Sequence, residues 1–298
     1  MHDLSRRDWL AIAAASAVNA LPFRSATATA APPLPDYPVG VCDWMILKRQ
    51  RLGAFKLAAE IGADGVEVDM GGLGDRPTFD NKLGDPAVRD QFLAEAQACG
   101  LRICSIAMSG FYAQSFAERE GIDRVVHDTI DTTVALGVKT IFLPLGVRSD
   151  LVLHPELRPA VVERLRAAGR RAADAGVVIG IETAYDAAGE KALLEEVGSL
   201  AVRSYFNLAN ALQNGRDLDA ELRTLGAERI CQIHASNRDG FWLEKDPQVD
   251  LPALRRTLEA ISWRGWLVIE RSRDASDARN VRGNFGANAR ELQRVFQR

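Results

Sequence analysis

The sequence has little of several features that would indicate other classes of protein. Its 298 residues carry a net charge of −3 and no basic stripe that could neutralise phosphates, so a nucleic-acid partner is not expected. The turn after the first apolar run, Cys42-Asp43-Trp44-Met45, lacks the glycine-rich fingerprint of a dinucleotide-binding fold. The hydrophobic fraction of 47% is ordinary for a globular protein, so the chain can bury a full core.

Cysteine is also scarce, and the chain has no long apolar run. The four cysteines, Cys42, Cys99, Cys104 and Cys231, show no C-x-x-C spacing, and three of them sit in apolar strand-like runs. Buried free thiols are therefore predicted rather than a redox or zinc motif. The apolar run Leu10 to Leu21 has about twelve residues, whereas a membrane-spanning helix needs ~20, so no stable membrane span is expected.

The first residues have the order of an export signal. The twin-arginine pattern Ser5 to Leu10 is followed by this apolar run, and then by the small residues Ala26 to Ala31 with A-x-A cleavage options. We predict a twin-arginine signal peptide over residues 1–30, a proline-rich lead-in over 31–37, and a periplasmic location. The alternative is a frayed N-terminal helix.

From residue 38 onward, short apolar runs alternate with longer amphipathic runs, eight times in all. The apolar runs predict buried parallel strands, and the amphipathic runs predict crossover helices. The predicted strands are Val39–Cys42, Gly65–Asp69, Arg102–Ala107, Thr140–Pro144, Val177–Glu182, Ser204–Leu208, Ile230–Ala235 and Trp266–Glu270. The predicted helices are Gly53–Ile61, Pro86–Cys99, Ile122–Leu136, Leu157–Ala175, Lys191–Val197, Leu218–Leu225, Leu251–Ile261 and about Ala278–Phe296.

Eight such units predict an α/β fold, a single-domain (β/α)8 TIM barrel over residues 38–298. The longer connections, 71–84, 109–121, 145–153 and 237–250, all follow strands, so they meet at the C-terminal face where such barrels carry their sites.

Polar side chains at the ends of four consecutive strands indicate a site at that face. Strands five to eight end in Glu182, Asn207, His234 and Glu270. Carboxylates at the ends of apolar strands are costly to bury without a cation or a row of ligand hydroxyls. Oxygen and imidazole ligands suit Mn²⁺, Co²⁺, Mg²⁺ or Zn²⁺, so these four residues are predicted as a divalent-metal site.

With this pattern the chain resembles the xylose-isomerase-like TIM barrels described as sugar-phosphate isomerases and epimerases. The resemblance covers about residues 38–298 and includes Tyr205-Phe206-Asn207-Leu208-Ala209-Asn210 on strand six and His234-Ala235-Ser236-Asn237-Arg238 on strand seven. It implies that Glu, Asp, His and Glu from strands five to eight hold the metal. This chain departs from that pattern, because the strand-six Asp is Asn207 and because Asn237 stands where many relatives carry an acid.

The resemblance implies a divalent-metal-dependent isomerase or epimerase, or a lyase, that acts on a sugar or keto-sugar. Glu182 and Glu270 are then the catalytic acid–base pair. Glu67, Asn210, Asn237, Arg238 and Trp44 are predicted to bind a sugar-like substrate, and an oligomer is compatible with the sequence. Aromatic residues that could stack on a sugar ring are Trp44, Phe111, Tyr112, Tyr185, Phe241 and Trp242.

Two other functions remain open from the sequence. Asn207 favours an exported sugar-binding barrel with a degenerate metal site and no catalysis. An endonuclease of the related apurinic-site kind needs a metal cluster with several histidines, and this chain has only His2, His127, His154 and His234. The acidic balance and the predicted export signal also oppose the endonuclease.

Overall fold

The computed structural model describes residues 33–297 and shows a closed barrel of eight parallel strands. Each strand pairs with its neighbours in sequence, and the eighth pairs with the first, Val39 opposite Leu267. The strands are β1 (Val39–Cys42), β2 (Gly65–Asp69), β3 (Arg102–Ala107), β4 (Thr140–Pro144), β5 (Val178–Glu182), β6 (Val202–Asn207), β7 (Ile230–His234) and β8 (Leu267–Ile269). The predicted TIM barrel is confirmed. The predicted signal peptide lies outside the described residues.

Helices cover the outside of the barrel. They are α1 (Gly53–Ile61), α2 (Pro86–Ala98), α3 (Ile122–Ala135), α4 (Arg158–Ala175), α5 (Ala187–Val197), α6 (Leu208–Gln213), α7 (Leu218–Leu225), α8 (Leu251–Ala260) and α9 (Val281–Phe296). Their apolar faces pack on the strands to form the main core, as Phe55, Leu57 and Ile61 of α1 do. Within residues 33–297, no helix is long and apolar enough to cross a membrane.

The inside of the barrel holds a second, smaller cluster that supports the site. Phe142 of β4 and Tyr205 of β6 meet there, with ring centroids 4.7 Å apart, and Cys42, Cys104 and Val268 pack beside them. All four cysteines are free thiols, as predicted, although Cys99 and Cys231 are only partly buried. This layer closes the barrel below the ends of the strands, so polar groups above it are shielded on one side.

The structure differs from the sequence prediction at two helices that follow strands five and six. Helix α5 begins at Ala187 instead of Lys191, because Asp186 caps it by accepting a hydrogen bond from the backbone N–H of Gly189. Helix α6 was not predicted, since its six residues are too few to show a helical period. Its N-cap is Asn207, which places a residue of the candidate site at the junction of β6 and α6.

Candidate active site

The four polar residues predicted at the ends of β5 to β8 meet at one point. The Nδ2 atom of Asn207 lies 3.0 Å from Oε2 of Glu182 and 3.3 Å from Oε2 of Glu270. The Nδ1 atom of His234 lies 3.2 Å from the same Glu182 oxygen and 3.9 Å from the same Glu270 oxygen. All four side chains are largely or fully buried. The strand-end pattern therefore identified groups that the fold brings into contact.

His234 is held from below by Glu67 of β2. Its Nε2 atom lies 3.1 Å from Oε1 of Glu67, and its ring packs against Phe142 and Tyr205 at centroid distances of 4.6 and 4.5 Å. Burial lowers the pKa of His234, but the charge of Glu67 and the hydrogen bonds to Glu182 and Glu67 outweigh it and raise the pKa to about 10. The ring is therefore protonated at neutral pH.

Glu67 acts on His234 and does not face the cavity. Its carboxylate accepts hydrogen bonds of 2.6 Å from both Ser105 Oγ and Tyr205 Oη, and the Cys42 thiol lies 3.4 Å from its other oxygen. Burial raises the pKa of Glu67, but the His234 charge and these hydrogen bonds lower it overall. Glu67 was predicted to bind substrate. The structure places it as the group that orients the imidazole.

Glu270 has a second partner in Tyr112, which lies on the turn after β3. The phenolic hydroxyl of Tyr112 donates a 3.0 Å hydrogen bond to Oε1 of Glu270. Burial and the charge of Glu182 raise the pKa of Glu270, and the charge of His234 opposes them. Each Glu270 oxygen thus has its own donor, Tyr112 on one side and Asn207 on the other, and the carboxylate is held in one orientation.

A cavity of about 270 Å³ opens onto this group. Its lining includes Glu182, Asn207 and Glu270, together with Tyr112, Asn210, Gln213 and Arg271. A larger depression of about 650 Å³ runs along α9, but it shares no residue with the site. Two buried carboxylates, Glu182 and Glu270, converge in the cavity at the strand ends, and its size suits a small polar molecule.

The remaining predicted substrate-binding residues are only partly brought to this cavity. Asn210 lines it and donates a 3.0 Å hydrogen bond to the backbone oxygen of Thr183. Trp44 stacks on Phe142, 6.4 Å between centroids, and does not line the cavity. Asn237 is buried and donates to Asp246 and Gln248, so it orders the loop after β7. Arg238 is exposed and lies outside the lining.

Sequence reasoning missed several functional neighbours. Ser105 and Tyr205, which hold Glu67, point into the barrel from within apolar strands. Tyr205 lies two residues before Asn207, so the two-residue period of a strand could have placed both on one face. Arg271 lines the cavity directly after Glu270. Of the six aromatic residues proposed for stacking, Tyr112 is the one among the described lining residues.

Comparison with known proteins agrees with this fold. The sequence model of the xylose isomerase-like TIM barrel family matches residues 55–297. The chain belongs to this family. A curated relative, 2-epi-5-epi-valiolone 7-phosphate 2-epimerase from Actinoplanes sp., is 29% identical over 200 residues, which are 64% of this chain and 70% of the relative.

Solved structures show the same fold at lower identity. D-psicose 3-epimerase from Clostridium cellulolyticum, solved with D-tagatose, has a TM-score of 0.68 and 13% sequence identity. The match covers 87% of the present chain and 99% of the epimerase. D-allulose 3-epimerase from Methylomonas sp., solved with D-allulose, has a TM-score of 0.63 and 16% identity, and the match covers 89% of the present chain and 98% of the epimerase. The 3-keto-D-glucoside 4-epimerase from E. coli has a TM-score of 0.64 and 17% identity, and the match covers 86% of the present chain and 99% of the epimerase.

Three side chains of this family member lie close enough together that they could hold a metal ion. Glu182, His234 and Glu270 each offer one ligand atom, and these atoms lie within 4.8 Å of one another. Asn207 does not fit as the fourth ligand, because its oxygen accepts the backbone N–H of Ala209 at 2.9 Å and its nitrogen faces the carboxylates. The four-ligand cation site predicted from the sequence stays a prediction.

Proposed function

We propose that this protein is an isomerase or epimerase that moves a proton on a sugar or keto-sugar, with Glu182 and Glu270 as the acid–base pair. The observation that carries the proposal is that carboxylate oxygens of Glu182 and Glu270 lie within 4.8 Å of each other in one cavity. Two carboxylates that face one cavity can each exchange a proton with the same bound substrate.

The reaction follows from that arrangement. One carboxylate removes the proton from a carbon beside a carbonyl, which leaves an enediolate, and the other carboxylate delivers a proton. Delivery to the opposite face of the same carbon is epimerisation, and delivery to the neighbouring carbon is isomerisation. Asn207 and His234 place N–H groups beside the oxygens that exchange these protons. Elimination would follow if a leaving group stood next to the carbanion carbon.

Solvent exchange tests the proposal before the substrate is known. We would incubate residues 31–298 in D₂O with free aldoses, free ketoses and 3-keto-glycosides, and follow loss of C–H signals by NMR. The native protein should exchange one carbon-bound hydrogen, and Glu182→Gln and Glu270→Gln should each slow the exchange about 10³-fold or more. The control is Glu163→Gln, the same change at an exposed position of α4. Exchange that persists in both active-site variants would refute the assignment.

The second candidate is a sugar-binding barrel without catalysis, and the amide of Asn207 favours it. Calorimetric binding of a sugar to the native protein, with no hydrogen exchange under any condition, would support this candidate against the enzyme.

We also propose that the substrate is not phosphorylated and that the protein works in the periplasm. The twin-arginine pattern of residues 5–10 supports export. Among the described residues that line the cavity, Arg271 is the only cation, whereas phosphate recognition usually uses several donors and charges. The curated relative is named for a phosphorylated substrate, so the sugar panel should include sugar phosphates. Turnover of phosphates alone would contradict this proposal.

A further inference from the structure

We infer that the centre formed by Glu182, Asn207, His234 and Glu270 works without a divalent cation, because the amide nitrogen of Asn207 stands where a cation ligand would have to be an oxygen. The proposed function rests on this same site, but ion binding there can be measured without any substrate.

The orientation of the Asn207 amide is fixed by its backbone surroundings. Asn207 ends β6 in an extended conformation, and its Oδ1 atom accepts the N–H of Ala209 at 2.9 Å, which caps α6. The Nδ2 atom must then point the other way, toward Oε2 of Glu182 and Oε2 of Glu270. Turning the amide over would set its NH₂ group against the N–H of Ala209 and its oxygen against two carboxylates. Both contacts are unfavourable, so the observed orientation is the stable one.

An amide NH₂ group in this place excludes a cation chemically. Its nitrogen lone pair is delocalised into the carbonyl, so the group donates hydrogen bonds and does not coordinate a metal. Divalent ions in such sites take carboxylate, carbonyl, water or imidazole ligands. An aspartate here could cap α6 with one oxygen and offer the other to an ion. Asn207 still caps α6 with its oxygen, but it presents an N–H donor where an aspartate would present a ligand oxygen.

The protein supplies its own means of holding the two carboxylates together. The Asn207 amide donates to both carboxylates. The Nδ1 atom of His234 lies 3.2 Å from Oε2 of Glu182 and 3.9 Å from Oε2 of Glu270. Its Nε2 atom lies 3.1 Å from Oε1 of Glu67. Both ring nitrogens therefore already have carboxylate partners. The contacts that a cation would make are replaced by these hydrogen bonds.

The test uses Mn²⁺ as the probe and three forms of the full-length protein: the native protein, Asn207→Asp, and Asn214→Asp as the matched control. Asn214 is exposed at the end of the same short helix, so it undergoes the same chemical change outside the site. Metal content after native purification is measured by mass spectrometry, Mn²⁺ binding by electron paramagnetic resonance, and thermal melting with and without chelator.

We expect the native protein and Asn214→Asp to contain no stoichiometric metal and to melt at the same temperature with Mn²⁺ or chelator. Asn207→Asp should bind one Mn²⁺ per chain, about 100-fold tighter than the native protein. Removing a residue that only supports a metal ligand already lowers metal affinity by up to about 100-fold, so restoring a ligand itself should raise the affinity at least as much. One chelator-removable ion in the native protein would overturn the inference. So would an Asn207→Asp variant that binds no ion, because the amide would then not be what excludes it.

The native titration decides the main point even if Asn207→Asp fails to fold. Its outcome is also independent of the exchange assay. A metal-free protein with no exchange would remove the proposed function and leave this inference standing, whereas a metalloenzyme with exchange would do the reverse.

Discussion

A buried carboxylate away from the site gives a sharp prediction about stability. Glu190 of α5 is 6% exposed, and its Oε2 atom accepts a 2.6 Å hydrogen bond from Thr183 Oγ1. Its Oε1 atom has no hydrogen-bond partner among the described residues. Burial raises the pKa of Glu190 to about 7, although the Ser204 hydroxyl beside it and the hydrogen bond from Thr183 oppose the change.

The sign of the pH dependence follows from where the proton is held. Between the ordinary pKa of 4.5 and about 7, the folded protein keeps a proton on Glu190 that the unfolded chain has lost. Stability is therefore highest below the lower value and falls as the pH rises through this window. At about 1.4 kcal/mol for each pKa unit, Glu190 makes the folded state about 3 kcal/mol less stable at pH 8 than at pH 4.

The assay compares urea unfolding of the native protein and Glu190→Gln at several pH values between about 4 and 8. The neutral variant lacks this titration, so the difference in free energy of unfolding, variant minus native, should increase by about 3 kcal/mol from pH 4 to pH 8. Other groups titrate equally in both proteins and cancel in the difference. Glu163→Gln, an exposed change, should run parallel to the native protein. Parallel curves for Glu190→Gln would refute the reasoning.

Two further predictions concern the cavity and the barrel interior. Tyr112→Phe removes the hydrogen bond that lowers the pKa of Glu270, so the acid limb of the exchange–pH profile should move to higher pH. The exchange rate should also fall about tenfold, and an unchanged melting temperature is the control for folding. Gly180→Ala places a Cβ 2.5 Å from Cys231 Sγ and 3.0 Å from Tyr205 Cβ, which should cost about 1–3 kcal/mol in urea unfolding. Gly84→Ala meets nothing within 4 Å, and an equal loss there would contradict the packing explanation.

The sequence was sufficient for the barrel and for the convergence of the strand-end residues. Glu182, His234 and Glu270 are recognisable because each ends an apolar strand, where a charged or polar group is conspicuous. In a parallel barrel all such ends meet at one face, so topology alone brings them together.

Contacts that depend on side-chain direction could not be predicted in this way. Glu67 lies in the middle of β2, and the hydroxyls of Ser105 and Tyr205 hold it toward His234 rather than the cavity. Arg238 and Asn237 follow His234 in sequence, but the loop after β7 carries them away from the lining. The direction of the Asn207 amide depends on a backbone donor in α6, a helix too short to be recognised.

The double use of position 207 has a consequence for how such barrels diverge. Asn and Asp are about equally good at the start of a helix, so exchanging one for the other leaves α6 capped. The same exchange swaps a hydrogen-bond donor for an anionic ligand at the centre of the site. An aspartate would set a third carboxylate against Glu182 and Glu270, which is tolerable only when a cation neutralises the charge, so stability ties the residue at this position to the presence of an ion.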